Sequence, residues 1–325
     1  MNKLRVGSCI AEAGRLTTGV IHVTEDPAGG SVEIPILVLS GKSEGPTLWI
    51  NGGIHGDEPQ GAWAIFALLK EVDPESLQGA IIAAPFMNVP AFESRARGNP
   101  LDPFAYDMNR LYPGSESGRL TQRIAWAHCQ ELLQTADLEI SVHSGGAECY
   151  LERTVFATDS SLELAKAMGP NWGLILESFQ PSGTPMAALL AKGIPAISIE
   201  QGGGAPSGQE ALRDIRILLS AFMNVLRHYG MISGTAEYSS EWRHGKSVSV
   251  LSQHSGVWIP EPGIEFHKPY ERGRIAGRVV NLYGETLEEI QTPCDGEVFG
   301  IRALPVVHTG EWMLFYAAIQ NTSKA

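Results

Sequence analysis

Cysteine is scarce in this 325-residue sequence, which contains four in all: Cys9, Cys129, Cys149 and Cys294. None of them stands in a C-x-x-C pair, so the sequence lacks a cysteine-based zinc knuckle and a thioredoxin-like redox motif. We interpret the scattered cysteines as free thiols in a reducing compartment. Residues 1–14 also lack the continuous apolar run of a signal peptide, and together these absences predict a cytoplasmic protein.

Long apolar runs and an excess of positive charge are also missing. No stretch of 18 uninterrupted apolar residues occurs, which excludes a membrane-spanning helix. The 36 acidic residues outnumber the 24 basic ones, and the net charge of −12 argues against nucleic acid or a membrane as a partner. An anionic ligand must therefore meet a local basic cluster. Nothing in the sequence fixes a symmetry, so the formation of a homo-oligomer stays open.

The remaining composition is that of a folded globular protein. Hydrophobic residues make up 43% and charged residues 18%, close to the averages for globular domains. The length allows about two domains. The 36 glycines and 20 prolines make the chain rich in turns, which disfavours an all-helical fold.

Residues 15–230 alternate between strand and helix patterns. Two β-branched runs within 15–40 flank the turn residues 26–30, which predicts an antiparallel hairpin. Further strands are predicted at 46–50, 80–84, 138–142 and 196–199, and helices at 56–72, 119–135, 185–192 and 208–229. The fold class is therefore α/β, a mixed sheet flanked by helices.

After Ser233 the pattern changes to short β-type runs separated by glycines, so we predict a catalytic domain at 1–235 and an all-β domain at 236–325. The second domain resembles the barrel-sandwich of biotinyl and lipoyl carrier domains. Carriers of that kind present a modifiable lysine at a hairpin, whereas the turn Thr292–Gly296 has none. The expectation is a carrier-like fold without carrier function.

Two histidines and one glutamate follow predicted strands and could bind a metal. His55 and Glu58 form an H-x-x-E pair after the strand at 46–50, and His143 directly follows the strand at 138–142. Because the carboxyl ends of parallel strands meet at one edge of a sheet, the three side chains are expected to lie together. Two histidines, one carboxylate and an open fourth position are typical of catalytic zinc. The other seven histidines lack ligand spacing and are expected to be structural or exposed.

Two further motifs supply a basic cluster and a carboxylate. Arg97 and the pair Asn109–Arg110 lie in one loop, where arginine can recognise a carboxylate through two hydrogen bonds; Arg95 competes with Arg97 for this role. Glu200 directly follows the strand at 196–199, and three glycines come after the next residue. A glutamate beside a zinc-activated water can take its proton, so Glu200 is the predicted general base.

Taken in order, H-x-x-E, an arginine and D-x-N-R, S-x-H-S-G-G and I-E-x-G-G resemble the succinylglutamate desuccinylase and aspartoacylase family of zinc hydrolases over roughly residues 45–230. Members of this family are distant relatives of the zinc carboxypeptidases, so the resemblance implies a zinc carboxypeptidase-like mixed sheet. The resemblance implies one zinc ion per chain, held by His55, Glu58 and His143, with Glu200 as the catalytic carboxylate. It implies that Arg97 polarises the scissile carbonyl and that Asn109 and Arg110 bind the substrate carboxylate. Many members carry an acidic residue where this chain has Ser141, so the partner that supports His143 stays open.

Within that family, the chain length and the stretch Pro90–Phe92 resemble those of the N-acetyl-diaminobutyrate deacetylases more than those of the human-type aspartoacylases. The leading hypothesis is a zinc-dependent amidohydrolase that removes a small acyl group from an anionic or zwitterionic N-acyl amino acid. A zinc esterase or a carboxypeptidase-like hydrolase has the same chemistry, and the sequence does not separate them. A non-catalytic metal- or ligand-binding module is the third hypothesis, and a retained Glu200 argues against it.

Overall fold

A computed structural model describes residues 4–177 and 182–324 of the chain. The strands in these ranges are β1 (Arg5–Val6), β2 (Cys9–Ile10), β3 (Arg15–Glu25), β4 (Ser31–Ser40), β5 (Ser43–Asn51), β6 (Gln78–Ala84), β7 (Leu138–His143), β8 (Cys149–Ala157), β9 (Leu174–Glu177), β10 (Ala196–Gly203), β11 (Glu241–Leu251), β12 (Gly256–Pro260), β13 (Pro269–Tyr270), β14 (Ile275–Val280), β15 (Thr286–Gln291), β16 (Gly296–Arg302), β17 (Val306–Val307) and β18 (Trp312–Lys324). The α-helices are α1 (Gln60–Glu71), α2 (Val89–Glu93), α3 (Leu120–Thr135), α4 (Leu162–Ala167), α5 (Pro185–Leu190) and α6 (Gly208–His228), and 3₁₀ turns span Pro103–Ala105, Met108–Arg110 and Asp159–Ser161. Across these same ranges, no helix is both long enough and apolar enough to cross a membrane.

A twelve-stranded mixed sheet forms the centre of the molecule, in the order β13-β16-β18-β11-β9-β8-β10-β7-β5-β6-β4-β3. Strands β6, β5, β7 and β10 run parallel, so their carboxyl ends meet at one edge. The predicted hairpin is present as β3 and β4, and the Asp26 side chain accepts hydrogen bonds from the backbone amides of Ala28 and Gly30 in its turn. The predicted mixed α/β fold is confirmed.

Helices cover both faces of the parallel part of the sheet. Helices α1, α4 and α6 pack on one face, and α3 and α5 pack on the other. The helix predicted at 208–229 is present as α6, and it buries an apolar face through Leu218, Phe222 and Val225; each such side chain contributes about 1.5–3 kcal/mol of apolar burial. These two layers fix the strand ends on which the candidate site residues lie.

Five strands close into a ring beside the parallel strands. Strand β8 pairs with β9, β9 with β11, β11 with β18 and β18 with β16, and β16 returns to pair with β8. An apolar cluster that includes Leu151, Phe156 and Phe299 packs between these strands. We call this unit the five-stranded ring. It joins the parallel part of the sheet to strands from the C-terminal region.

The C-terminal region is rich in strands, as predicted. Besides the strands that it adds to the large sheet, it forms a second sheet in the order β15-β14-β12-β17 around Trp258, Val279 and Ile290. We keep the boundary between residues 235 and 236 as a proposal, because it falls in the connection between α6 and β11.

Candidate active site

The loop between β5 and α1 carries His55 and Glu58, and it is tightly bent. Gly53 has a φ of +59°, a region that favours glycine. A Cβ atom on Gly56 would lie 2.1 Å from the carbonyl carbon of Ala91, so the loop packs against α2 without room for a side chain there. The two residues are therefore fixed on a turn at the end of a buried strand, as the sequence predicts.

The structure brings His55, Glu58 and His143 together. His143 is the last residue of β7, and one potential ligand atom from each of the three side chains lies within 4.8 Å of the others. The Nδ1 atom of His55 is 2.8 Å from Oε1 of Glu58, and Nδ1 of His143 is 3.1 Å from Oε2. All three side chains are buried.

These residues fit a zinc ion by the chemistry of the donors. Two imidazole nitrogens and one carboxylate form a common protein ligand set for catalytic zinc, which leaves one position open for water or substrate. Burial opposes the charge on Glu58, but the charge of His55 and hydrogen bonds from both histidines hold the pKa of Glu58 below its ordinary value. Glu58 is therefore an anion in a buried site.

Each histidine has a second polar contact that orients its ring. Nε2 of His55 lies 3.1 Å from Oδ1 of Asp107, and Nε2 of His143 lies 3.3 Å from the Ser141 hydroxyl. Ser141 is therefore the polar partner of His143 that the sequence analysis left open. The role of Asp107 was missed, although the D-x-N-R motif contains it; a carboxylate behind a histidine is a frequent arrangement at metal sites.

Replacing Asp107 with asparagine is expected to weaken zinc binding about 10- to 100-fold, because the amide cannot match the carboxylate as a partner for His55. The measurement is the zinc dissociation constant by competition with a chromophoric chelator. Asp159→Asn, at an exposed position, is the matched control and should keep the parent affinity. Equal affinity in both variants would remove Asp107 from the support of His55.

Glu200 lies directly beside this cluster. Its Cα atom is paired with that of His143 across β10 and β7, and its side chain lines the same cavity. In the part of the chain that the structure describes, Oε2 of Glu200 is buried and has no hydrogen-bond partner. Burial and the negative charge of Glu58 raise the pKa of Glu200 well above its ordinary value, and Arg97 opposes this rise. A carboxyl group in this state is poised to exchange a proton.

The basic loop contributes three side chains to the cavity: Arg97, Asn109 and Arg110. Arg97 contacts Oε1 of Glu58 at 3.4 Å and Oδ2 of Asp107 at 3.3 Å, and its guanidinium lies 5.6 Å from the ring centre of Trp312. Arg95, the competing residue, is exposed and lies outside the cavity lining. The geometry therefore favours Arg97 over Arg95.

The cavity has a volume of about 170 Å³. Part of its wall comes from the C-terminal strands, a contribution that the sequence analysis did not predict: Ser247, Ser249, Phe299, Trp312 and Phe315. These residues are 40 or more positions beyond Glu200 in the sequence and reach the cavity through the five-stranded ring. The wall of the cavity therefore combines the strand ends of the parallel sheet with strands from the C-terminal region.

The α/β fold and the residues gathered at its strand ends define a candidate hydrolytic centre. Residues 44–228 match the family described as the succinylglutamate desuccinylase/aspartoacylase catalytic domain. This match covers more than half of the chain, so the chain belongs to that family.

Similar proteins match over nearly the whole length. The chain is 28% identical over 312 residues to the N-alpha-acetyl-L-2,4-diaminobutyric acid deacetylase of Halomonas elongata, across 91% of this chain and 88% of the relative. A solved succinylglutamate desuccinylase from Silicibacter sp. TM1040 aligns with a TM-score of 0.83 and 25% identity, over 96% of this chain and 98% of the other. The product-bound ectoine utilization protein EutE (DoeB) from Ruegeria pomeroyi aligns with a TM-score of 0.82 and 26% identity, over 95% and 98%. The family and these relatives identify the chain as a hydrolase, and more narrowly as a deacylase.

Proposed function

We propose that the chain is a zinc-dependent amidohydrolase that removes a small acyl group from an N-acyl amino acid. The observation that carries this proposal is the buried cluster of His55, Glu58 and His143 beside the unpartnered carboxyl group of Glu200, all on one cavity. The names of the relatives, which include an acetyl-diaminobutyrate deacetylase, support an acylated amino acid as the substrate.

His55, Glu58 and His143 would hold one zinc ion. Bound zinc in such a site supplies Lewis acidity, which polarises a carbonyl group and makes water nucleophilic near neutral pH. Glu200 accepts a proton from the attacking water and gives it to the nitrogen atom when the C–N bond breaks.

The basic loop would bind and orient the substrate. Arg97 donates hydrogen bonds to the carbonyl oxygen as negative charge develops on it. Asn109 and Arg110 bind the carboxylate of the amino acid, since an arginine fork matches a planar carboxylate. The Oδ1 atom of Asn109 is buried without a hydrogen-bond partner among the described residues, which leaves it available to a substrate N–H group.

Amine release from N-acetyl, N-succinyl and N-formyl amino acids tests this proposal. We expect zinc-loaded protein to hydrolyse at least one of them, and we expect a chelator to abolish that activity because the ligand set then holds no ion. Re-addition of zinc should restore it, and metal content is measured alongside.

Two other results would contradict the proposal. Activity that persists after complete metal removal would exclude a zinc mechanism. Hydrolysis of esters, with no amide cleaved by fully loaded protein, would replace the amidohydrolase with a zinc esterase.

A further inference from the structure

The cavity beside Glu200 extends into the five-stranded ring. Its lining includes Leu151 and Phe156 from β8, Phe299 from β16, and Trp312 and Phe315 from β18. Because β16 pairs with β8 at Leu151, the ring is closed directly next to the strand that carries Glu200. A substrate group that points away from the basic loop would therefore enter the ring.

The ring presents an apolar, aromatic surface to the cavity. Phe156 and Phe299 are buried, with ring centres 6.3 Å apart, and Phe315 lies 6.0 Å from Phe299 and 5.5 Å from Trp312. Aromatic surfaces of this kind favour hydrocarbon groups, because the contact removes apolar surface from water.

The charged side chains in the described lining come from elements outside the ring strands, and the one recorded against an aromatic ring of the wall is Arg97, whose guanidinium lies 5.6 Å from the ring centre of Trp312. The titratable residues of that lining all belong to the candidate centre or to the basic loop: His55, Glu58, Arg97, Arg110, His143 and Glu200. The ring strands β8, β11, β16 and β18 contribute only apolar residues and the hydroxyl groups of Ser247 and Ser249 to it. Away from Arg97, which lies beside Trp312, a carboxylate or an ammonium group packed against Phe156 and Phe299 would meet no charged side chain of the ring strands in this lining, and its desolvation would be costly.

We infer that the five-stranded ring receives an uncharged hydrocarbon group of the substrate, supplied by either the amino-acid side chain or the acyl chain. This inference rests on the proposed function and narrows its substrate class. The relative from Halomonas elongata is named for a substrate whose side chain carries an amine. The cavity of about 170 Å³ is shared between the candidate centre and the wall of the ring, so the hydrocarbon group occupies only part of it.

Two homologous substrate series test the inference with the zinc-loaded protein. The first lengthens the side chain from N-acetyl-L-alanine through norvaline to norleucine, and the second lengthens the acyl chain of L-alanine from acetyl through butanoyl to hexanoyl. We expect kcat/KM to rise about fourfold for each buried methylene in one of the series, and the series that rises identifies the group in the ring. N-acetyl-L-aspartate and Nα-acetyl-L-2,4-diaminobutyrate serve as charged comparisons and should be poorer substrates.

A substitution in the aromatic wall of the ring tests whether this wall causes the preference for longer hydrocarbon groups. Phe315→Ala should flatten the rising series, because Phe315 is a half-buried part of the wall. Tyr283→Ala is the matched control, since Tyr283 is 91% exposed on the turn between β14 and β15. If Phe315→Ala does not fold, the two series with the unaltered protein decide the question alone.

The outcomes separate this inference from the proposed function. Preference for a charged substrate, or two flat series, would overturn the hydrocarbon assignment and leave the deacylase intact. If kcat/KM rose with each added methylene as steeply in Phe315→Ala as in the parent, the assignment of the hydrocarbon group to the ring would also be overturned. Failure to hydrolyse every acylated amino acid would overturn the proposed function and this inference together.

Discussion

Replacing Glu200 with glutamine is expected to lower kcat by roughly 10²- to 10⁴-fold and to leave KM and zinc content near their parent values. Glutamine keeps the size of the side chain but cannot accept a proton from water. Because the ligand atoms of the candidate centre come from His55, Glu58 and His143, metal binding should be preserved. The measurement combines steady-state kinetics on the substrate found in the panel with metal analysis of the same sample.

The matched control for this substitution is Glu177→Gln. Glu177 also ends a strand of the large sheet, but it is exposed and lies outside the cavity lining. The control should turn over at the parent rate. If Glu200→Gln kept near-normal turnover with zinc bound, Glu200 would have no part in proton transfer. A large rise in KM with unchanged kcat would instead make it a binding residue.

The candidate centre could be predicted because its residues follow local signals. His55, Glu58, His143 and Glu200 each lie at or just after the end of an apolar run, and parallel strands place such ends at one edge. The fold supports this reasoning, since β5, β7 and β10 are parallel neighbours. Their catalytic and ligand roles remain predictions that the variants above address.

The rest of the site depends on contacts between distant parts of the chain. Asp107 reaches His55 across 52 positions, and no spacing rule connects the two residues. Strands β8 and β9 were not predicted, so the five-stranded ring and its aromatic wall were not predicted either. Closure of this ring is set by pairing between β8 and β16, which are separated by more than 130 residues. Such pairing leaves no periodic signal within a short window of sequence.

A buried polar chain lies on the face of β7 that carries His143. The Tyr112 hydroxyl donates to Nδ1 of His128 at 2.9 Å, and Nε2 of His128 donates to Oδ1 of Asn51 at 3.0 Å. The Asn51 amide in turn donates to Oε1 of Glu139 at 2.8 Å. This arrangement requires a neutral His128, and burial lowers the pKa of His128 to about 3.

Glu139 makes the free energy of unfolding of the protein depend on pH. Burial raises the pKa of Glu139 from its ordinary 4.5 to about 8, against the lowering effect of the Asn51 hydrogen bond. Between these two pH values the folded protein holds a proton that the unfolded chain has released. The free energy of unfolding therefore falls as the pH rises from about 4.5 to 8, by up to about 5 kcal/mol in total from this group.

Replacing Glu139 with glutamine is expected to remove this decline, because glutamine stays neutral and keeps an oxygen atom for the Asn51 amide. Urea unfolding at a series of pH values from 5 to 9 measures how the free energy of unfolding of each protein changes with pH. The free energy of unfolding of the variant, relative to the parent, should increase by several kcal/mol across that range. A fixed cost for the new amide hydrogens would shift every point equally and leave the slope unchanged.

Glu71→Gln, at an exposed position on α1, provides the matched control and should follow the parent curve.

His128 acts at the acidic end of the pH scale: because its pKa is lowered in the folded protein, stability is lost as the pH falls from about 6.5 towards 3. That contribution is common to parent and variant, so it cancels in the difference. Parallel curves for Glu139→Gln and the parent between pH 5 and 9 would mean that Glu139 is already ionised in the folded protein. The face of β7 beneath His143 would then hold a buried charge.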